Sequence, residues 1–481
     1  MPLTASSPTR FHTLQNISII LLSAIFAPLC TLVAILSHII SPFTKTSRHI
    51  ERHRQWRKIS SSTFRPRTVL VTGIGTDKGL MLARAFYRAG HCVIGADFEP
   101  YYIPVAGHFS KSMEDAEAAE VIERETKCRA IQFSPSLTST LQEELSFIKH
   151  TRNLGLNVPN THIITSEMEV LRILYPSPPD LSSTKPQAQD EQYTIKPVNP
   201  DDPNTTLLPL PSFQETQSHI RHLNPAPSHP FILQQFTPGQ EYLTHSLILQ
   251  GTLKAFVACP SPSSHITHFA PLYSTSALSL AMQTYTSEYA RKTGLTITGH
   301  LSLTFLIADA IANNEESHFG VSATEIQHLM TKIYAISCSP RVHASTILLS
   351  DSSEDLAEIY LSLLPGHEPP GIANGHRDPQ QIVVPSPAIE GYYFLGYDVL
   401  NLVCMPFLKV LKWETGIRTM VQCWLLFAGH VLFWREAMWE FWDPWPWWFT
   451  YVVYWPLMFG VRLWEGKGSG EVSTGEMTSA K

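Results

Sequence analysis

Gly73, Gly75 and Gly79 sit in "VLVTGIGTDKGLMLARAFYRAGHCVIGAD" (69–97), where their spacing invites a chemical reading. They follow a strand-length apolar run and lead into a helical pattern. Glycine is needed where backbone turns sharply or approaches a phosphate, and a helix N-terminus attracts anions. Asp97 closes the second apolar run, where an acid could accept the hydroxyls of a bound ribose. The segment therefore reads as strand, turn, helix and strand. Its turn either cradles a dinucleotide or only lets the helix settle against its sheet.

The dinucleotide option predicts an NAD(P)-dependent reductase of the short-chain type. Such an enzyme needs a tyrosine with a lysine four residues later, and no tyrosine in this chain has one. The strand–helix alternation also stops after one or two units. The packing explanation of the glycines is preferred on both grounds.

The rest of the chain must position whatever chemistry exists. Its 481 residues suffice for two or three domains, and a net charge of −6 gives no global signal for nucleic acid. The seven cysteines form no CxxC and no zinc spacing, which suits reduced thiols. Ile17 to Ile40 runs without a charge for about 24 residues, long enough to cross a bilayer core of ~30 Å. A cleaved signal peptide is the rival reading. Eight Lys/Arg against one Glu follow in residues 45–67, so the bulk of the protein is expected to face the cytosol. On that reading the sequons at Asn16 and Asn204 carry little weight. Ten of the eleven tryptophans lie in residues 391–464, which predicts helices on or in the membrane interface, or else a buried helical subdomain. Between these ends, "YTIKPV", "FILQQF", "YLTHSLIL", "LKAFVAC", "HLSLTFLIA" and "KIYAISC" have strand length, and several alternate as antiparallel strands do.

Taken in order, "YTIKPV" (193–198), "FILQQFTPGQEYLTHSLILQGTLKAFVACP" (231–260), "TGHLSLTFLI" (298–307) and "YAISCSPRVHAST" (334–346) resemble the ATP-grasp superfamily. More narrowly they are similar to carbamoyl-phosphate-synthetase-like ATP-grasp proteins of fungal secondary-metabolite clusters, including isoquinoline alkaloid pathways. The resemblance spans roughly residues 67–410 and includes the tail that begins "GYYFLGYDVLNLV". Enzymes of this kind clamp ATP between two α+β subdomains. They move its γ-phosphate to a carboxylate, and an amine attacks the acyl phosphate.

The resemblance implies roles for particular residues. Lys196 would contact the phosphates, with Gln234 and Gln235 at the adenine hinge and Glu241 at the ribose. Arg341 would hold the acyl phosphate, since a guanidinium forks onto phosphoryl oxygens and stays charged. His343 reads as a packing or hydrogen-bonding residue. The phosphate loop after Lys196, "VNPDDPNTTLLPLP", has no glycine. The positions that usually bring Mg²⁺ its oxygen ligands fall on Thr304, Ser337 and Ser339. Magnesium prefers carboxylate oxygens, so either ATP and water hold the metal or the fold has lost the chemistry. Glu315, Glu316 and Glu325 are nearby acids that could substitute.

The expected architecture is an N-terminal tail (1–16), a transmembrane helix (17–40) and a basic linker (41–66). A Rossmann-like α/β pre-ATP-grasp domain (67–148) and a two-lobed α+β ATP-grasp domain (149–365) follow. A linker (366–390) then leads to an apolar, aromatic-rich helical C-terminal region (391–481). The expected function is an ATP-dependent carboxylate–amine ligase using ATP and Mg²⁺ on small molecules, alongside other enzymes of its pathway. The alternatives are a non-catalytic ATP-grasp scaffold or nucleotide sensor at a membrane, and the NAD(P)-dependent reductase.

Overall fold

The charge-free run near the N-terminus folds as one helix, α1 (Thr9–Ile40), with Pro28 inside it. A short 3-10 turn leads to the basic helix α2 (Lys45–Ser60). This computed structural model describes residues 9–60, 64–97, 103, 128–175, 192–197, 205–261, 268–295, 297–315, 319–364, 382–387 and 391–465. The glycine-free loop at 198–204, Glu316, the side chain of Glu315, Asn204 and most of the 366–390 linker lie outside the described residues.

The glycine turn joins β1 (Thr68–Thr72) to α3 (Asp77–Arg88), and β2 (Cys92–Ala96) pairs parallel to β1. Gly73 has a φ of 70°, the left-handed conformation that glycine alone adopts freely. Thr76 caps the helix, its Oγ1 accepting from Gly79 N–H at 3.2 Å. A Cβ on Gly79 would lie 2.5 Å from the Gly73 carbonyl carbon. The third glycine is therefore required for helix-on-turn packing, whatever the turn binds.

Helices α4 (Pro135–Gln142) and α5 (Glu144–Asn153) lead into a four-stranded antiparallel sheet. Its elements are β3 (Thr161–Ile164), α6 (Glu167–Leu174), β4 (Gln192–Pro197), β5 (Thr206–Leu208), α7 (Phe213–Leu223) and β6 (Phe231–Phe236). The strand order is β3-β6-β4-β5. Tyr193, Ile195 and Leu233 face one core with Val170 and Leu174 of α6 and Ile220 of α7. The period of two then puts Thr194 and Lys196 on the other face.

A two-residue link from β6 starts the larger sheet. It contains β7 (Gly239–Leu249), β8 (Thr252–Pro260), β10 (Gly299–Ala308) and β11 (Ile333–Ser339), ordered β11-β10-β7-β8 and antiparallel throughout. Between them lie the short β9 (His268–Phe269) and the helices α8 (Ala277–Thr293), α9 (Asp309–Glu315) and α10 (Ala323–Met330). Leu301, Leu303, Phe305 and Ile307 are fully buried on one face, against Met282, Tyr285 and Tyr289 of α8 and Phe147 of α5. Phe305→Ala would cost about 3–5 kcal/mol by loss of transfer free energy and creation of a cavity. The opposite face carries Leu243 and Leu247. It packs against a 3-10 segment (Ala344–Ser352), α11 (Ser353–Leu361) and the inner face of α3.

The aromatic-rich end folds back on both α1 and α3. It begins with the short β12 (Tyr392–Tyr393) and α12 (Leu395–Asp398), then α13 (Met405–Leu411) and α14 (Ile417–Phe433). The residue pair β13 (Arg435–Glu436) precedes α15 (Trp445–Phe449) and α16 (Trp455–Glu465). Trp447, Tyr451, Trp455 and Phe459 form a cluster with Ile19 of α1 and Leu80 of α3. Trp448 Nε1 donates to Thr31 Oγ1 at 2.8 Å, and Arg84 Nε meets Asp443 Oδ2 at 3.0 Å. Among the described residues one helix, Ile19–Phe43, is long and apolar enough to cross a membrane, and little of it is buried. Leu425, Leu432 and Phe433 on α14 are also exposed, at 67%, 74% and 68%.

Candidate functional site

The register of the large sheet gathers the residues expected on it. Directly paired residues in antiparallel strands share a face. Glu241 pairs with Leu306, Leu243 with Thr304, Thr304 with Ser337, and Ser302 with Ser339. Glu241, Thr304, Ser337 and Ser339 therefore occupy one face, opposite the α8 core. A bulge between Thr304 and Phe305 separates this polar row from the fully apolar end of β11. Arg341 follows two residues after Ser339. Its backbone carbonyl accepts from Ser302 Oγ at 3.3 Å, and its side chain is exposed with no ion pair among the described residues.

On the smaller sheet, Lys196 pairs with Ile232 and Thr194 with Gln234, so these side chains share the face away from the core. Lys196 already has a partner: Nζ is 2.6 Å from Oε1 of Glu144, the first residue of α5. A lysine among apolar neighbours needs a counter-charge, and the chain provides one from 52 residues upstream. Helix α5 also packs against β11, and its Phe147 joins the α8 core.

The two hinge glutamines differ. Gln235 is engaged with Asn160, donating its N–H to the Asn160 carbonyl at 2.7 Å and accepting from Asn160 N–H through Oε1 at 3.4 Å. Gln234 Nε2 is buried with no acceptor among the described residues. A buried orphan donor is costly, at about 1–3 kcal/mol, and a purine ring nitrogen is a fitting acceptor for it. Gln234 is the one of the pair with a buried donor to offer. Glu241 is exposed, and its main-chain carbonyl accepts from Ser261 N–H at 2.8 Å.

The magnesium positions do not fit the metal. Thr304, Ser337 and Ser339 offer hydroxyls only, and no group of three or more His, Cys, Asp or Glu among the described residues could hold an ion. Glu325 does not substitute. Its carboxylate accepts from Ser322 N–H at 2.7 Å in a capping box that starts α10. His343 also has a local role, as Nδ1 accepts from Ser345 N–H at 3.1 Å and caps the 3-10 segment.

The glycine turn keeps its acid for itself. Gly75 N–H donates to Asp97 Oδ2 at 2.5 Å, so the carboxylate expected at a ribose instead closes the turn. Lys78, in the first turn of α3, was not anticipated. It is half-buried, and its charge helps hold His245, His300 and His343 neutral, after burial itself. Burial takes His300 and His343 down to about 4. Asp77 beside it is pushed up to about 6, chiefly by burial. Only the position of Lys78, at the start of a helix after a glycine turn, could have drawn attention to it.

Cavities among the described residues lie elsewhere. One of about 390 Å³ is bounded by α5, β3 and α6 and includes Lys149, Arg152 and His162. Another, about 1040 Å³, is bounded by α1, α2 and the aromatic-rich end and includes Val33, His49, Trp434 and Trp442.

No protein-family model and no curated protein sequence matches the chain. Among solved structures it is similar to N5-carboxyaminoimidazole synthase from Aspergillus clavatus in complex with ADP and 5-aminoimidazole ribonucleotide. That likeness has 14% identity and a TM-score of 0.40, covering 66% of this chain and 80% of that one. Phosphoribosylamine–glycine ligase from Thermotoga maritima matches at 12% and 0.40, covering 67% and 78%. L-amino acid ligase from Bacillus licheniformis matches at 13% and 0.33, covering 60% and 69%. Likenesses at this level leave the function to be read from the chain's own residues.

Proposed function

We propose that this chain is an ATP-dependent ligase that activates a small carboxylate, of an amino acid or related precursor, and joins it to an amine. The motifs shared with fungal secondary-metabolite proteins support a biosynthetic role of that kind. The observation that carries the reading is the register of the two sheets. It aligns Glu241, Thr304, Ser337 and Ser339 on one face of the large sheet, with Arg341 at its end. Lys196 and Gln234 lie on the coreless face of the small one.

In this reading Gln234 offers its orphan donor to the adenine, and Glu241 accepts ribose hydroxyls. Lys196 and Arg341 offset the charge that develops as the γ-phosphoryl group leaves ADP for the carboxylate oxygen. The amine then attacks the acyl carbon, and inorganic phosphate leaves. No step is assigned to a protein-bound magnesium. The anchor α1 and the exposed apolar face of α14 would hold the enzyme at a membrane, its sheets on the cytosolic side.

Two observations favour a second reading, a non-catalytic nucleotide-binding scaffold. Lys196 is neutralised by Glu144, and the metal positions hold hydroxyls. Mass spectrometry of the full chain with ATP, Mg²⁺ and mixed amino acids separates the two. The ligase reading expects ADP together with a product lighter by one water than the sum of its substrates. ATP binding without ADP in any pool would overturn it and leave the scaffold.

A further inference from the structure

One polar cluster on the large sheet has no part in the mechanism above. It lies between α3, α11 and the face that carries Thr304. Ser302, His245 and His300 are almost fully buried there, with Tyr360 of α11 at the far end. His245 Nδ1 is 2.9 Å from Ser302 Oγ, and His245 Nε2 is 3.3 Å from His300 Nδ1. His300 Nε2 is 3.3 Å from the Tyr360 hydroxyl. The two imidazoles lie nearly parallel, at 19°.

We propose that Ser302, His245, His300 and Tyr360 form a one-directional hydrogen-bond array that positions Arg341, making them positioning residues for phosphoryl transfer. The direction follows from proton counting. The Arg341 carbonyl can only accept, so it takes the single hydroxyl proton of Ser302. Ser302 Oγ must then accept from His245, which places that proton on Nδ1. Burial keeps His245 neutral, so its Nε2 is bare and accepts from His300 Nδ1–H. His300 is neutral for the same reason, and its bare Nε2 accepts from Tyr360. Burial holds the Tyr360 hydroxyl protonated. Each group has one role, and reversing any link strands a neighbour. Among the described residues, Lys78 of α3 and His343 are the other titratable groups facing the array, and a cation there disfavours a second one on the imidazoles.

The array runs through groups that are each at least nine-tenths buried, which favours a positioning role over a shuttle. The array ties the backbone of Arg341 to α11, which packs on α3. A displacement of about 1 Å at such a guanidinium can cost on the order of a hundredfold in rate.

The catalytic consequence rests on the ligase reading, whereas the array does not, and the test separates them. Full-length protein labelled with ¹⁵N-histidine should show two neutral imidazoles protonated at Nδ1, assigned by their loss in His245→Gln and His300→Gln. Protonation at Nε2 in both would overturn the array, whether or not the enzyme turns over. In turnover assays, Ser302→Ala should lower kcat about tenfold or more with KM for ATP within about twofold. Ser302→Thr should restore most of the rate. Tyr360→Phe, on a different helix, should lower kcat in the same sense. An unchanged kcat in Ser302→Ala would overturn the positioning role. A wild-type chain without turnover would sink the ligase reading, and the imidazole spectra would still decide the array.

Discussion

Glu144→Gln is the change from which most can be learned. Glu144 Oε1 lies 2.6 Å from Lys196 Nζ, and the side chains are 35% and 28% exposed. A phosphate oxygen held by the same ammonium would approach to about 2.8 Å, leaving phosphate and carboxylate charges roughly 5 Å apart. Unit charges at that distance repel by about 3 kcal/mol at an effective dielectric near 20. Solvent reaches both side chains, so about half of that is a fair expectation. Removing the carboxylate charge while keeping its shape should therefore tighten ATP binding about tenfold. Stability should change little, because half-exposed pairs contribute about 0–1 kcal/mol. Calorimetric titration of ATP into wild type, Glu144→Gln and Lys196→Ala reads this directly. The lysine variant should bind about tenfold more weakly. An unchanged or weaker affinity in Glu144→Gln would refute the reasoning, because the pair would then be a structural bridge remote from any phosphate.

Two further expectations concern other parts of the chain. Gly79→Ala would place a Cβ 2.5 Å from the Gly73 carbonyl carbon and 2.9 Å from Ile74 N. Both atoms belong to the Gly73–Ile74 peptide, and backbone cannot yield cheaply, so a loss of about 3 kcal/mol should appear in denaturant unfolding. NADPH should not raise the melting temperature of wild type, and a shift with NADPH but not ATP would revive the reductase. Glu436 is buried among donors from Met438, Trp439 and Tyr451, and burial still takes its carboxyl up to about 7. The folded state then holds a proton that the unfolded chain releases near 4.5, so stability should fall as pH rises from 4.5 to 7. Melting curves at pH 5 and 8 should show that loss in wild type and a flattened response in Glu436→Gln. Equal slopes would show that Glu436 does not titrate in that window.

Local features were legible. "FILQQF" occupies β6 residue for residue, and "HLSLTFLIA" fills β10 from its second position, because alternation and β-branching act within a few residues. Helix α3 and its flanking strands were equally readable from the glycine turn. The register, which decides which side chains share a face, depends on pairings between distant segments. The Lys196–Glu144 pair spans 52 residues, and Ser302 reaches Arg341 over 39. Gln235 bonds Asn160, 75 positions away, a contact that no local pattern announces. Asp97 looked like a ribose ligand because its position matched. Only the folded turn shows the Gly75 N–H that already takes it. The aromatic-rich end was readable in composition but not in its docking, where Arg84 meets Asp443 across 359 residues.

The central claim, that a triphosphate lies against Lys196, can be tested with an acyl-phosphate derivative of ATP, which acylates lysines beside the bound phosphates. The full chain is labelled, digested and mapped by mass spectrometry, with and without excess ATP. The account predicts a modified peptide containing Lys196 whose yield falls when ATP competes. Labelling that spares Lys196, or that ATP does not diminish, would contradict it.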